Sequence, residues 1–144
     1  LRAYDDFKPN TILTATTKIE GTLTIGYGST GKWIKWNTVI DEAKADQLLN
    51  EDILKAERVI THNKLLKVEL NDNQYSACVS FAFNTGGGYI SKATKKWTPY
   101  ELWGYINTGK DVSEKWIITA ITSKGKQLRG LVNRRKAEYE LYKS

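Results

Sequence analysis

At 144 residues the chain has the length of one domain, and 40% hydrophobic with 26% charged residues predicts a packed core rather than disorder. Lys and Arg outnumber Asp and Glu by 22 to 16, a net charge of +6 that favours a polyanionic partner: nucleic acid, an anionic lipid surface or an anionic cell-wall polymer. The lysines are scattered rather than clustered, which counts against nucleic acid, and no apolar run approaches the ~18 residues of a membrane span.

Residues 1–36 read as extended and turn-rich. Strand-like pieces fall at Thr11–Thr16 and Gly21–Tyr27, both rich in β-branched or aromatic residues, with turns at Pro9-Asn10 and Ser29-Thr30-Gly31. A small antiparallel sheet or hairpin is expected. From Thr38 the period changes. Thr38-Val39-Ile40-Asp41 resembles a capping box, and Ala45, Leu49, Ile53, Ala56 and Ile60 form one face of a long helix from about Val39 to about Thr61. His62 follows in the polar stretch THNK, a poor setting for a Ser-His-Asp triad. Asn71-Asp72-Asn73-Gln74 is a second cap signal. It opens an apolar stretch that carries the lone Cys78, read as a buried thiol, and stops at Gly86-Gly87-Gly88. Thr98-Pro99-Tyr100-Glu101 predicts a helix start with Pro at its first position, ending near Gly109. Asp111 to Glu114 opens a segment over Trp116–Ile121. A last helix is expected from about Leu128 to about Tyr142, with Leu131, Ala137 and Leu141 facing in. The fold class is α+β: a β-rich lobe, 1–36, and a helical lobe of five helices, 37–144, with a seam between them where an extended polymer can bind. One His and one Cys leave no zinc cluster in prospect.

The chemistry is expected on the sheet. Asp5 and Asp6 follow Tyr4, and Thr24 precedes Gly26 and Gly28. Small residues in a strand admit a close ligand. A carboxylate and a hydroxyl facing each other across a hairpin can hold one water, as attack on a sugar's anomeric carbon requires.

Tyr4-Asp5-Asp6, Thr24-Ile25-Gly26-Tyr27-Gly28, Phe83-Asn84-Thr85-Gly86 and Gly130-Leu131-Val132-Asn133-Arg134-Arg135-Lys136-Ala137-Glu138 together resemble the phage-type lysozymes, the endolysins of glycoside hydrolase family 24. The resemblance covers nearly the whole chain. It implies a lysozyme-like fold, a small antiparallel sheet lobe joined by a long helix to a larger helical lobe. It also implies a substrate, bacterial peptidoglycan, cut between N-acetylmuramic acid and N-acetylglucosamine with inversion. The family's catalytic Asp and Thr fall on Asp6 and Thr24. Its general-acid Glu would fall upstream of Leu1, and residues are expected to precede Leu1, which is neither Met nor a small residue. PNTILTATTKI reads as an insert that lengthens the hairpin. Ser29 stands where the family often has His, so any contact of that His is expected to be missing. Asn84 is a candidate for hydrogen-bonding an acetamido sugar, with a plain helix end as the alternative. No metal and no organic cofactor is implied.

Asp5 reads as surface and Glu20 as an exposed turn residue rather than a substitute acid. Trp97, Trp103 and Trp116 read as core, while Trp33 and Trp36 either line the cleft or pack. Arg134 and Arg135 read first as a structural ion pair and second as a contact to anionic wall polymer. The expected protein is a monomeric muramidase of phage origin that binds no nucleic acid and does not insert stably in membranes. It would accumulate in the host cytoplasm and act on periplasmic peptidoglycan. The rival reading is a non-catalytic peptidoglycan-binding module, or a lysozyme remnant lacking the acid.

Overall fold

The computed structural model describes residues 17–19, 22–25 and 29–144. These divide into two units, one up to Leu54 and one from Lys55 to Ser144.

In the first unit, β1 (Thr17–Ile19) pairs antiparallel with β2 (Thr22–Thr24) in the register Thr17↔Thr24, Lys18↔Leu23 and Ile19↔Thr22. The strand expected at Thr11–Thr16 lies outside the described residues, as do Gly21, Gly26 and Tyr27 of the second expected piece. Ile25 and Ser29 exchange both backbone hydrogen bonds at 2.9 Å. The core here is small: Ile25, Ile34 and Leu48, with Leu23 and Ile40 packed against them. Trp33 and Trp36 flank the buried Ile34 and are both exposed.

Helix α1 (Glu42–His62) begins three residues later than the sequence suggests. Asp41, rather than Thr38, is its cap: the Asp41 carboxylate accepts from the Lys44 N–H at 2.7 Å and its carbonyl from the Ala45 N–H. The Thr38 hydroxyl instead accepts from the Lys35 N–H. Along α1, Ala45, Leu48, Ala56 and Ile60 are buried and Leu49 and Ile53 half-buried.

The second unit is built around α2 (Asp72–Thr85). Asn71 and Gln74 form the expected capping box, each side chain accepting from the other's backbone N–H at 2.8 and 3.0 Å. Gly86 ends the helix with φ 76°, in the left-handed region that favours glycine. Gly87 follows at φ 77°, so close to Val59 and Leu65 that a Cβ would stand 3.1 and 3.3 Å from their side chains. Its carbonyl accepts from the Trp103 indole at 2.8 Å.

The chain then makes a hairpin that the sequence reading missed. β3 (Gly88–Ile90) pairs with β4 (Trp97–Pro99), Gly88↔Pro99, Tyr89↔Thr98 and Ile90↔Trp97. Thr98-Pro99 is therefore strand, not a helix start, and α3 (Glu101–Asn107) begins after Tyr100 without a side-chain cap. Asn107 stitches the segment before α2 onto α3: its amide NH2 donates to the Leu65 carbonyl and its oxygen accepts from the Lys67 N–H, both at 2.8 Å. In α4 (Ser113–Ile118) the Asp111 carboxylate accepts from the Ser113 N–H. A two-residue turn, Lys124-Gly125, both at positive φ, joins β5 (Thr122–Ser123) to β6 (Lys126–Gln127).

Helix α5 (Arg129–Lys143) packs on α2 and α4. Its buried residues are Arg135 and Glu138, whereas Ala137 is exposed and Leu131 and Leu141 only half-buried. The expected apolar face is thus replaced by a charged pair, and the pair sits in an aromatic setting. Phe81 makes edge contacts with Tyr100, Trp103 and Trp116 at ring distances of 5.7–6.0 Å, and the Arg135 guanidinium lies 4.9 Å from its ring centre.

Candidate functional site

Thr24 is placed by its neighbours. Leu23 and Ile25 flank it in sequence and pack into the small core with Ile34 and Leu48. Thr24 itself ends β2, partly exposed, opposite Thr17. Asp5 and Asp6, with Tyr4, Glu20 and Gly26 to Gly28, lie outside the described residues.

Ser29 is buried, and its hydroxyl donates to the Asp52 carboxylate of α1 at 2.7 Å. The bond ties the residue after the Gly-Tyr-Gly stretch to the long helix.

Asn84 lies on the last turn of α2, partly exposed. Its amide oxygen accepts from the Arg135 guanidinium. A guanidinium has donors only, so the atom facing it must be the oxygen, and the amide NH2 of Asn84 points elsewhere as a donor. That orientation suits a carbonyl oxygen on a ligand. Arg135 is in turn held by Glu138, with 3.1 Å between its Nε and the carboxylate.

Glu138 is the centre of this network. Its carboxylate also accepts from the Ser80 hydroxyl at 2.7 Å, from the Trp116 indole at 3.2 Å and from Arg134 at 3.3 Å. Arg134 reaches the Ser80 carbonyl as well. The ion-pair reading of the two arginines therefore holds. Their partner was missed, although Arg134, Arg135 and Glu138 stand at i,i+4 and i,i+3 spacing, the sequence signal for a helical ion pair. Nearby, burial, reinforced by the Glu138 charge, pushes the Cys78 thiol up to about 12. The thiol is a buried neutral group, as expected. Burial likewise raises Tyr100, against the opposing pull of Arg135.

Of the tryptophans expected in the core, Trp103 and Trp116 are there and Trp97 is not: 37% of its surface is exposed. Among the described residues no three His, Cys, Asp or Glu side chains gather as a metal site, and no helix is long and apolar enough to cross a membrane.

The family model described as phage lysozyme matches residues 10–138, a span that includes Thr24, Asn84 and Glu138 and begins after Asp6. The endolysin of Bacillus phage B103 is 40% identical over 124 residues, covering 83% of this chain and 42% of that protein. The SAR-endolysin of bacteriophage PS119 is 32% identical over 128 residues, covering 85% of this chain and 69% of that protein. Among solved structures, the active form of the P1 phage endolysin Lyz superposes with a TM-score of 0.72 at 26% identity, covering 99% of this chain and 83% of that one. The chain spans less than half the length of the Bacillus phage relatives.

Proposed function

The chain belongs to the phage lysozyme family, and on that premise we propose that it is a muramidase. It hydrolyses the β-1,4 bond between N-acetylmuramic acid and N-acetylglucosamine in peptidoglycan, with inversion, and so lyses the host cell. The observation that carries this reading is the extent of the family match, residues 10–138, which takes in Thr24 and Glu138 on the last helix.

Asp6, ionised, takes a proton from the attacking water and opposes the positive charge that develops on the sugar ring. The Thr24 hydroxyl orients that water. A second carboxyl group, in the acid form, protonates the leaving oxygen from a position ~6.5–9.5 Å from the carboxylate of Asp6, the spacing that leaves room for a water on the opposite face of the sugar. A partly apolar setting keeps that acid protonated near neutral pH. Asn84, with its oxygen engaged by Arg135, donates from its amide to the carbonyl of a substrate acetamido group. The net charge of +6 draws the protein to an anionic wall. Before lysis the protein is held in the host cytoplasm. Export is the competing route, since the PS119 relative is named a SAR-endolysin.

The test is release of reducing ends from purified sacculi by the protein. Asp6→Asn is expected to lower the rate roughly 10²–10⁴-fold, the range for loss of general-base assistance. Thr24→Ala should give a smaller loss. Full activity in Asp6→Asn would overturn the assignment. Sacculus binding without cleavage in the wild-type protein would establish the non-catalytic module instead.

A further inference from the structure

The β3–β4 hairpin is unlike the rest of the second unit. No acidic residue occurs between Asp72 and Glu101, and the hairpin loop carries Lys92, Lys95 and Lys96, all exposed. Ser91 organises that loop. Its N–H donates to the Lys96 carbonyl at 3.0 Å, its carbonyl accepts from the Lys95 N–H at 2.8 Å, and its hydroxyl accepts from the Thr94 N–H.

The two faces of the hairpin differ. On one, the Tyr89 ring lies against Tyr100, tilted by 39° with ring centres 5.3 Å apart, and Tyr100 contacts the buried Phe81, so the hairpin is anchored to the core by a run of rings. On the other, Ile90 and Trp97 stand directly opposite each other, 63% and 37% exposed. The Trp97 ring packs on Gly88, where a Cβ would come within 2.6 Å of two of its ring atoms and 2.5 Å of the Thr98 carbonyl oxygen. Only a residue without a side chain leaves room there for both the paired strand and the indole, which keeps 37% of its surface exposed.

This hairpin begins four residues after Asn84, across the two left-handed glycines that end α2. We infer that the β3–β4 hairpin is a peptidoglycan-binding arm. In it Trp97 stacks on a sugar ring of the glycan strand, and Lys92, Lys95 and Lys96 meet the carboxylates of that strand and its stem peptides. The occupant follows from charge and continuity: a loop whose only charges are cationic, beside one exposed aromatic ring and next to the helix end that bears the candidate acetamido contact. A neutral glycan would leave the lysines without a partner. The inference rests on peptidoglycan being the substrate.

Two readouts separate this inference from the activity itself: co-sedimentation with purified sacculi, and release of reducing ends. Trp97→Ala is expected to raise the apparent KM on sacculi about 5–10-fold, the loss typical of truncating an anchoring aromatic, with kcat unchanged. Trp97→Phe should restore most of the binding. Substituting Lys92, Lys95 and Lys96 together by Ala should weaken sedimentation at low salt and flatten its salt dependence, with the circular dichroism spectrum unchanged. If Trp97→Ala fails to fold, judged by circular dichroism, the lysine variant carries the test. Wild-type sedimentation with both variants unaffected would overturn the arm. So would hairpin-dependent binding to phosphatidylglycerol vesicles with sacculus binding unchanged, since the partner would then be a lipid surface. Hairpin-dependent sedimentation without reducing ends would leave the arm standing and remove the muramidase reading.

Discussion

Ser29 and Ser80 each donate a hydroxyl hydrogen bond to a carboxylate at 2.7 Å, the first to Asp52 and the second to Glu138. Both serines are buried, and both bonds join segments far apart in sequence. The acceptors differ. Asp52 is half-buried on the face of α1, where water can replace a lost donor. Glu138 is wholly buried among two guanidiniums and an indole. The same bond therefore carries different stakes: the cost of losing it is set by what solvent can do for the group left behind.

Removing the buried acceptor is the most severe test of this contrast. Glu138→Ala takes the Glu138 carboxylate away from the buried Arg135 guanidinium, the Ser80 hydroxyl and the Trp116 indole and should cost roughly 3–5 kcal/mol in urea denaturation. Ser80→Ala keeps the ion pair but takes a donor from a charged acceptor, and about 1.5–3 kcal/mol is expected. Ser29→Ala, the matched change in the first unit, should cost only about 0.5–1.5 kcal/mol. Equal losses at the two serines would break the comparison.

Alkaline titration sharpens it from another side. Cys78 lies in the same buried neighbourhood, its thiol raised from 9.0 to about 12 by desolvation first and by Glu138 second. Below pH 9 both folded and unfolded chains keep the proton, and stability is at its full value. Between pH 9 and 12 only the unfolded chain ionises, so the denaturation midpoint should fall steadily. The native thiol should resist a disulfide reagent at pH 8.

The smallest effect is expected at the surface. Lys115 hydrogen-bonds Glu101 at 2.8 Å and holds its carboxyl below the usual range, yet Glu101 stands in solvent. Glu101→Gln should leave the midpoint unchanged within error at about 0.15 M salt.

What was legible in the sequence was what is decided locally. Asn71 and Gln74 announce their capping box because both partners lie within one turn, and Gly86 announces the helix stop because few residues take its backbone shape. Thr98-Pro99 misled for the same reason. The pair is a good local helix start, but the pairing of 97–99 with 88–90 prevailed, and a Pro at a strand end gives up no ladder bond that a short hairpin needs. A rule that counts charges as exposed would place Arg135 and Glu138 on the outside. They are buried because each brings the other in, with Ser80 and Trp116 arriving from 58 and 22 residues away. The site divides likewise. Thr24 and Asn84 are candidates by motif. The bond that orients Asn84 spans 51 residues and has no local signature.

The Asn107 side-chain amide donates to the Leu65 carbonyl and accepts from the Lys67 N–H, which is what a peptide unit of an adjacent strand would do. A single residue thus stands in for a missing strand. The segment at 65–67 is spared the fraying usual for exposed connections. Its opening is coupled to that of the helix end from which the amide projects, so the two should exchange their amide hydrogens as one cooperative piece.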